Sequence, residues 1–528
     1  MITGKNHIGY TRSADGIKTF RTMNPRLNIP NTWVFSEVSE QEIDKAVQLA
    51  AVAFEEYRHF PAKEKARFLR TIGENLANWG DEILDVYSME SGLPKGRAQG
   101  ERARTIFQLN SFADLIEEGS WVEATIDLAQ PDRKPFSRPD LRKMMVALGP
   151  IAVFGSSNFP FAYSTAGGDT ASALAAGCPV VVKSHPMHAG TGEMVAEAII
   201  KAAKETQMPE GVFSNLNSSG TEVGQYLVKH PDIKGVGFTG SIQGGRALYN
   251  LAASRKEPIP VFAEMGSINP VVMLPEAIKN NALSWATQYA HSITLGTGQF
   301  CTNPGLLLAV EDEGLDRFID LLSNEILKIQ PDVMLHSQIF ANYENKKGEI
   351  LSSGMVELKA EYQGELMDNY AAQVVVKTSG QAFLQHPFLH NEVFGPFSMI
   401  VICRDFNELE KVLQNMEGQL TGTIISHNDE VNQYPKIIAA MQNRVGRLIF
   451  NGVPTGVEVC PAMMHGGPYP ASTDSRFTAV GIHAIKRWVR PVSYQNWPHD
   501  LLPDALKNSN PLGIWRLIDQ KMSKESIQ

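Results

Sequence analysis

Cysteine is scarce: Cys178, Cys301, Cys403 and Cys460 are the four in 528 residues, widely spaced and without a CxxC pair. That excludes a disulfide framework for a chain of this size and argues against a zinc ribbon. It fits a reducing cytoplasm. An excess of positive charge is also missing. Lys and Arg total 48 against 57 Asp and Glu, for a net charge of −9, whereas nucleic-acid binding needs clustered cations. No nucleic-acid partner is expected. No apolar stretch approaches the roughly 20 residues that span a bilayer, so no membrane partner is expected either. The opening MITGKNHIGYTRSADG has no basic start followed by an apolar run, so the expectation is a cytoplasmic protein without a signal peptide. Internal repeats and low-complexity tracts are absent. What remains is a globular mix, 43% hydrophobic and 20% charged, at a length that asks for two or three folding units of about 100–200 residues each.

The first third reads as helix. Ser39-Glu40-Gln41-Glu42 has the spacing of a capping box, in which the two side chains satisfy unpaired backbone donors. Behind it Ile43, Ala46, Val47, Ala50, Ala53, Phe54 and Tyr57 recur at helical spacing and make one apolar face. A second amphipathic helix is predicted from Ala62 to Trp79. Residues 121–146 alternate apolar and polar and then turn polar and proline-containing, which predicts a protruding β-arm or a long connection. From Val146 short apolar runs alternate with helical patterns, as βαβ units require. The runs are Val146–Phe154, Pro179–Lys183, Val212–Leu216, Gly235–Phe238 and Ile259–Ala263, with crossover helices over Met194–Ala203, Glu222–Lys229 and Gly245–Ala253. A second set holds Leu306–Val310, Gln373–Lys377, Phe397–Cys403, Thr421–Ser426 and Arg447–Phe450. Two α/β domains are expected.

Among residues able to carry chemistry, Cys301 stands out. It lies in Gly296-Thr297-Gly298-Gln299-Phe300-Cys301-Thr302-Asn303-Pro304-Gly305, and a glycine-rich turn supplies the access and backbone donors a reactive thiolate needs. The same residue also reads as a small hydrophobe at a turn, as Cys178 and Cys403 do within their apolar runs. Glu264 ends the run Ile259–Ala263. An acid at a buried strand end is either functional or a hydrogen-bonded structural carboxylate. Asn158, in Gly155-Ser156-Ser157-Asn158-Phe159-Pro160, either donates to a developing oxyanion or makes an Asx turn before proline. Gly240-Ser241-Ile242-Gln243-Gly244-Gly245 after a strand, and Lys183 at another strand end, are candidates for a nucleotide, although this is not GxGxxG. His185-Pro186-Met187-His188 has no third ligand, and no metal is expected.

Taken in order, these segments resemble the aldehyde dehydrogenase superfamily over nearly the whole chain: Asn in a strand-end turn, Lys after Val-Val-Val, Phe-Thr-Gly-Ser, Glu, Gly-Gln-Phe-Cys and Glu392-Val393-Phe394-Gly395-Pro396. The resemblance implies a Rossmann-type cofactor domain, a second α/β catalytic domain and a β-arm for oligomerisation. Residues 1–120 would be the helical part of the cofactor-binding domain, 121–146 the arm, 147–267 the rest of the cofactor-binding domain, 268–485 the catalytic domain, and 486–528 an oligomerisation strand and tail. It implies Cys301 as nucleophile, Glu264 as general base and Asn158 in the oxyanion hole. Lys183 would hold the adenosine ribose. Gly240, Ser241 and Gly245 would lie under the pyrophosphate, Glu392 would contact the nicotinamide ribose and Phe394 would sit beside the nicotinamide. Ser157, His185, Pro186, Gly220 and Gly224 complete the implied cofactor site. A homodimer or homotetramer acting on a small aldehyde is expected.

Several departures narrow the resemblance. The family's common Glu-Leu-Gly-Gly-Lys is Glu264-Met265-Gly266-Ser267-Ile268 here, and Ser157 stands where many members have Trp. Pro186 occupies the place of a glutamate that binds ribose hydroxyls in NAD-preferring members, so NADP is favoured, with NAD usable. The family's second late glutamate has no counterpart in Ser475-Arg476-Phe477-Thr478. These features, and the run His465-Gly466-Gly467-Pro468-Tyr469-Pro470-Ala471-Ser472-Thr473, resemble the branch that contains α-ketoglutarate semialdehyde (2,5-dioxovalerate) dehydrogenases and NADP-dependent fatty aldehyde dehydrogenases. The first of these is the expected activity. A substrate bearing a carboxylate calls for guanidinium or hydroxyl groups at the entrance, for which Arg102, Arg104 and Thr302 are candidates, although each arginine also reads as a solvated helix charge. Rival readings are a CoA-acylating dehydrogenase, against which Glu264 speaks, and a silent scaffold, which has no need of Cys301, Glu264 and Asn158 together.

Overall fold

Short runs of β-branched and small residues build two sheets in the computed structural model, which describes residues 2–528. The first sheet is seven-stranded. Its order is Val261–Glu264, Gly235–Thr239, Ile151–Phe154, Val180–Lys183, Phe213–Leu216, Asn6–Ile8 and Thr11–Ser13. The first five strands in this order are parallel, and the two from the N-terminus are antiparallel. Ile151–Phe154 is buried along its length and Val180–Lys183 up to its final lysine, as expected of parallel strands covered on both faces. The earliest strand of the parallel set, Ile151–Phe154, lies in the middle, and the order reverses there. In doubly wound sheets ligands bind in the crevice beyond the carboxyl ends at that reversal. Helices Gly168–Ala176, Ala189–Glu205, Glu222–Lys229 and Ile242–Ala253 make the crossovers. The Ser39–Glu42 capping box forms and opens the helix Glu40–Tyr57. Helices Ala62–Asn78 and Lys95–Glu118 pack on the same core through Phe68, Leu69, Ile72, Leu109 and Phe112.

The second sheet also has seven strands, ordered Glu357–Glu361, Val374–Ser379, Phe397–Cys403, Leu306–Val310, Pro270–Met273, Gln419–Ile425 and Val445–Phe450. All pair in parallel except the edge strand Glu357–Glu361. A third sheet of five strands joins Val489–Gln495, Leu141–Ala147, Thr125–Asp127, Arg516–Ile518 and Lys521–Ser523. No described helix is long and apolar enough to cross a membrane.

The structure corrects the reading of Val146–Phe154 as one strand. Leu141–Ala147 belongs to the third sheet and Ile151–Phe154 to the first. Gly149, at φ 137°, turns the chain between them, and Pro150 has no N–H for a ladder. Asn6–Ile8, Thr11–Ser13, Pro270–Met273 and Glu357–Glu361 are strands that sequence patterning passes over. The first two are three residues each and polar, and the last, Glu-Leu-Lys-Ala-Glu, is a partly exposed edge. The oligomerisation strand expected within 486–528 starts at Val489, because Ile482–Trp488 forms a 3₁₀ turn. Ala484, Ile485 and fully buried Trp488 pack into the core of the first sheet, so the boundary expected at 485 falls inside that turn.

Candidate active site

Cys301 follows the helix Pro275–Thr294 and a tight turn in which Gly296, Thr297 and Gly298 have φ values of 55°, 58° and 65°. Gly298 must be glycine on two counts. Its φ is left-handed, and a Cβ there would overlap the backbone of Gly395. Asn269, itself at φ 48°, holds the far side of the turn. Its Nδ2 donates to the Cys301 carbonyl at 2.8 Å and to the Asn303 carbonyl at 2.9 Å. Its Oδ1 accepts from Ser267 Oγ at 2.9 Å and Thr421 Oγ1 at 3.0 Å. Asn158 comes from the loop beyond Ile151–Phe154, and its Nδ2 donates to the Gln299 carbonyl at 3.0 Å. The Asn158 carbonyl accepts from Arg97 Nη2 at 2.9 Å, and the Arg97 guanidinium lies over the rings of Phe159 and Phe300. The structure thus brings Asn158 against the cysteine turn, although the two are far apart in the chain.

The sulfur faces a histidine. His465 Nε2 lies 3.7 Å from Cys301 Sγ. His465 is 2% exposed, and its backbone N–H donates to Thr478 Oγ1 at 2.9 Å. Burial, with the nearby Arg447, Arg104 and Arg487 charges, pushes the imidazole down to about 3. Burial, with the Glu392 and Glu264 charges, pushes the thiol up to about 12. Both shifts keep the pair neutral at rest. A neutral imidazole beside a thiol is a proton acceptor whenever Nδ1 carries the ring proton.

Glu264 ends its strand with the carboxyl buried, one oxygen unpaired and the group's pKa held well above the ordinary carboxylate range by burial. The segment Gly466–Thr473 fastens this strand end. Glu264 bridges Ser472, the Met265 N–H donates to the Ala471 carbonyl at 2.8 Å, and the Ala263 N–H donates to Thr473 Oγ1 at 2.9 Å. A buried carboxyl without a partner is expensive for stability, and such groups concentrate where chemistry needs them.

On the other side of the sulfur lies the crevice at the sheet reversal. Ser241 caps the helix Ile242–Ala253 by accepting from the Gly244 N–H at 3.1 Å. With Gly240 it presents an exposed helix start of the kind that binds phosphate. Gly245 is buried, and a Cβ would press on Met265, so it sets the approach of helix to strand. Lys183 and Ser184 end Val180–Lys183, and Ser156 and Ser157 follow Ile151–Phe154. The hydroxyls of Ser156 and Ser184 are buried without partners. Burial pushes Lys183 down to about 8, against the pull of Glu37. Glu37 accepts from both the N–H and the hydroxyl of Ser219, next to Gly220. Gly224 packs against Phe154. His185 stacks on His188, ring centroids 5.0 Å apart, and His188 Nε2 meets the Ser156 carbonyl at 2.8 Å. Pro186 opens the short turn that follows His185. Glu392 and Phe394 line a cavity with Ser267, Gly298 and Asn303, and burial lifts the Glu392 carboxyl to about 7. Unpartnered hydroxyls, a lysine and a helix start along one crevice fit a dinucleotide.

Of the entrance candidates, Arg102 turns away and donates to the Gly80 carbonyl at 2.5 Å, and Thr302 is 1% exposed. Arg104 faces the site, donating Nη2 to Tyr163 Oη at 3.5 Å. Sequence reading takes His465 only as the head of a run and Arg447 only as the start of a strand. It passes over Tyr163 and Glu37 and gives Asn269 no role. No local pattern marks them, because their importance comes from neighbours distant in the chain. The positive φ of Asn269 is a partial signal, since Asn tolerates that region.

Comparison with known proteins agrees with this geometry. The aldehyde dehydrogenase family matches residues 10–488. The chain is 46% identical over 522 residues, covering 99% of both chains, to alpha-ketoglutaric semialdehyde dehydrogenase 2 of Azospirillum brasilense. It is 43% identical over 525 residues, covering 98% of both, to alpha-ketoglutaric semialdehyde dehydrogenase of Acinetobacter baylyi. Among solved structures, betaine aldehyde dehydrogenase from Staphylococcus aureus superposes with a TM-score of 0.80 at 16% identity, over 94% of this chain and 98% of that one. A 1-pyrroline-5-carboxylate dehydrogenase from Thermus with bound NAD gives 0.77 at 20% identity, over 93% and 92%. These two likenesses speak to the fold. The expected α/β architecture is therefore the observed one, and the chain belongs to the aldehyde dehydrogenase family.

Proposed function

We propose that this enzyme oxidises α-ketoglutarate semialdehyde (2,5-dioxopentanoate) to 2-oxoglutarate, with NADP preferred to NAD. The observation that carries the reading is that Asn158 hydrogen-bonds the turn two residues before Cys301, whose sulfur lies within reach of the Glu264 charge. The names of the two relatives above 40% identity support the choice of aldehyde.

In this reading Cys301 Sγ adds to the aldehyde carbon as its proton leaves toward His465 Nε2, 3.7 Å away, a transfer that the lowered imidazole opposes until negative charge forms on the substrate oxygen. A resting thiol then needs no standing negative charge in a buried site. Asn158 Nδ2 and the Cys301 backbone N–H donate to the oxygen as it gains charge. The nicotinamide dinucleotide, when bound, supplies the hydride acceptor. Lys183, Ser157, His185, Pro186, Gly220 and Gly224 would line its adenosine half. Gly240, Ser241 and Gly245 would take the pyrophosphate, and Glu392 and Phe394 the nicotinamide half. Oxidation leaves the acyl group on Cys301 as a thioester. Glu264 then removes a proton from the attacking water, and burial, by raising its affinity for protons, makes it a stronger base than an ordinary carboxylate. The acyl group leaves as a carboxylate, and His465 returns its proton to the departing sulfur, which restores the thiol.

The preference for NADP rests on Pro186, which offers no carboxylate to the ribose hydroxyls and no charge against a 2′-phosphate. We also assign a homodimer or homotetramer built through the third sheet. Its outer strand Val489–Gln495 pairs on one side only and carries exposed residues, the kind of edge another strand can extend. Residues 147–267 then form the body of the cofactor-binding domain and 268–485 the catalytic domain.

The test is a steady-state panel of α-ketoglutarate semialdehyde, succinic semialdehyde, glycolaldehyde and a long aliphatic aldehyde with NAD or NADP, followed by absorbance of the reduced nicotinamide. The highest kcat/KM is expected for α-ketoglutarate semialdehyde with NADP. A preference for the long aldehyde would reject the substrate and leave the mechanism standing.

A further inference from the structure

We propose that Arg104 and Arg447 form a carboxylate clamp at the entrance to the Cys301 site, which selects aldehydes carrying a carboxylate at the far end of a short chain. The proposal builds on the semialdehyde reading and adds the residues that would enforce it.

The two guanidiniums come from different units, Arg104 from the helix Lys95–Glu118 and Arg447 from the strand Val445–Phe450. One loop gathers them. Arg447 Nη1 donates to the Gly456 carbonyl at 2.9 Å and Nη2 to the Pro454 carbonyl at 2.7 Å. Arg104 Nη1 donates to the Val457 carbonyl one residue further on. From Arg104 the path to the sulfur is short. Its Nη2 reaches Tyr163 Oη at 3.5 Å, the Tyr163 and His465 ring centroids are 5.9 Å apart, and His465 Nε2 lies 3.7 Å from Cys301 Sγ. The Arg447 charge acts on Cys301 and His465 alike.

The pair has no acid partner. Arg487 pairs with Asp169 at 2.7 Å, Arg142 with Asp140 at 2.8 Å and Arg97 with Glu101 at 3.9 Å. Fully buried Arg516 is held by backbone carbonyls alone, and Arg104 and Arg447 differ from it in lying where their charges act on His465 beside Cys301. Arg104 and Arg447 are half-buried, and their hydrogen bonds go to neutral carbonyls, a phenol and the Met463 sulfur. Glu458, the acid on the same loop, is exposed and accepts instead from the Val459 N–H at 3.0 Å. Each guanidinium has five N–H groups and spends only part of them on these contacts. Shielding like charges together without a counterion is unfavourable. An arriving carboxylate would relieve it, and would accept from planar forks suited to that group. Bound there, its chain would extend past Tyr163 and His465 and present the aldehyde to Cys301.

The experiment uses the full-length enzyme and its Arg104→Gln, Arg447→Gln and double variants, with Arg104→Lys and Arg447→Lys beside them. It compares α-ketoglutarate semialdehyde with pentanal, an uncharged aldehyde of the same chain length, and measures inhibition of pentanal oxidation by glutarate. Each Gln variant should lower the ratio of kcat/KM for semialdehyde over pentanal by about 10- to 100-fold, mainly through KM, the scale of one or two hydrogen bonds to a charged group. Glutarate inhibition should weaken in parallel, and the Lys variants should recover part of both. An equal loss on both aldehydes, with glutarate inhibition as in the wild type, would overturn the clamp and leave the arginines as loop supports. A wild-type enzyme indifferent between the two aldehydes would reject the semialdehyde reading. In that case glutarate inhibition of the wild type, lost in the Gln variants, would still uphold the clamp, and its absence in the wild type would reject that too.

Discussion

The reacting residues carry opposing demands: the site must admit an aldehyde and a water, yet the shielding around it keeps the resting groups uncharged. Cys301 is the clearest case, its thiol raised to about 12 while the neighbouring imidazole is lowered to about 3. Alkylation of Cys301 by iodoacetamide in the free enzyme should therefore climb by roughly tenfold per pH unit from pH 7 to 10, without levelling, since only the thiolate reacts. A plateau at neutral pH would mean a standing thiolate and would sink the picture of a neutral pair. His465→Gln should lower kcat while leaving dinucleotide binding, read by fluorescence, as in the wild type. If kcat is unchanged, the proton goes elsewhere. Glu264→Gln should give a burst of about one reduced nicotinamide per site and then stall, because acylation proceeds and hydrolysis does not. Steady turnover in that variant would move the base to another group. Glu37, whose charge reaches Lys183 and which Ser219 holds, is the acid to test for cofactor choice. Glu37→Gln should raise NADP use relative to NAD, read as the ratio of kcat/KM for the two.

At the scale of elements, strands with uniform burial declare themselves and short or edge strands do not. Val180–Lys183 and Phe397–Cys403 are apolar runs whose neighbours on both faces are already implied by their composition. Asn6–Ile8 is buried only because it docks beside Phe213–Leu216, a partner some two hundred residues away, and its own composition says nothing of it. The capping box at Ser39 was legible for the opposite reason, since its reciprocal hydrogen bonds close within four residues. Ser39→Ala should cost about 1 kcal/mol of stability, checked by chemical denaturation. The turn that presents Cys301 depends instead on a remote side chain. Removing the Asn269 amide, which holds the Cys301 and Asn303 carbonyls, should reduce kcat more than it changes dinucleotide affinity. A loss confined to stability would make Asn269 a folding residue alone.

For the whole molecule, the third sheet joins residues from 125 to 147 with residues from 489 to 523 and leaves Val489–Gln495 as its open edge. If that edge makes the oligomer, Ser493→Pro, which removes an N–H on the open side of the strand and leaves the pairing with Leu141–Ala147 in place, should shift the sedimentation profile toward monomer. An unchanged profile would place the interface elsewhere. The sequence alone was enough for the α/β class and the two parallel sets, because hydrophobic periodicity is a local consequence of which faces are covered. It was also enough for the family, because Asn158, Lys183, Gly240, Glu264, Cys301 and Glu392 occur in order with recognisable neighbours. Only the tertiary structure placed His465 at the sulfur, chose Arg104 over Arg102, and brought in Arg447. Each of those facts is a distance between segments separated by up to several hundred residues. Chain closure sets such distances through the packing of entire sheets, and no window of sequence contains them.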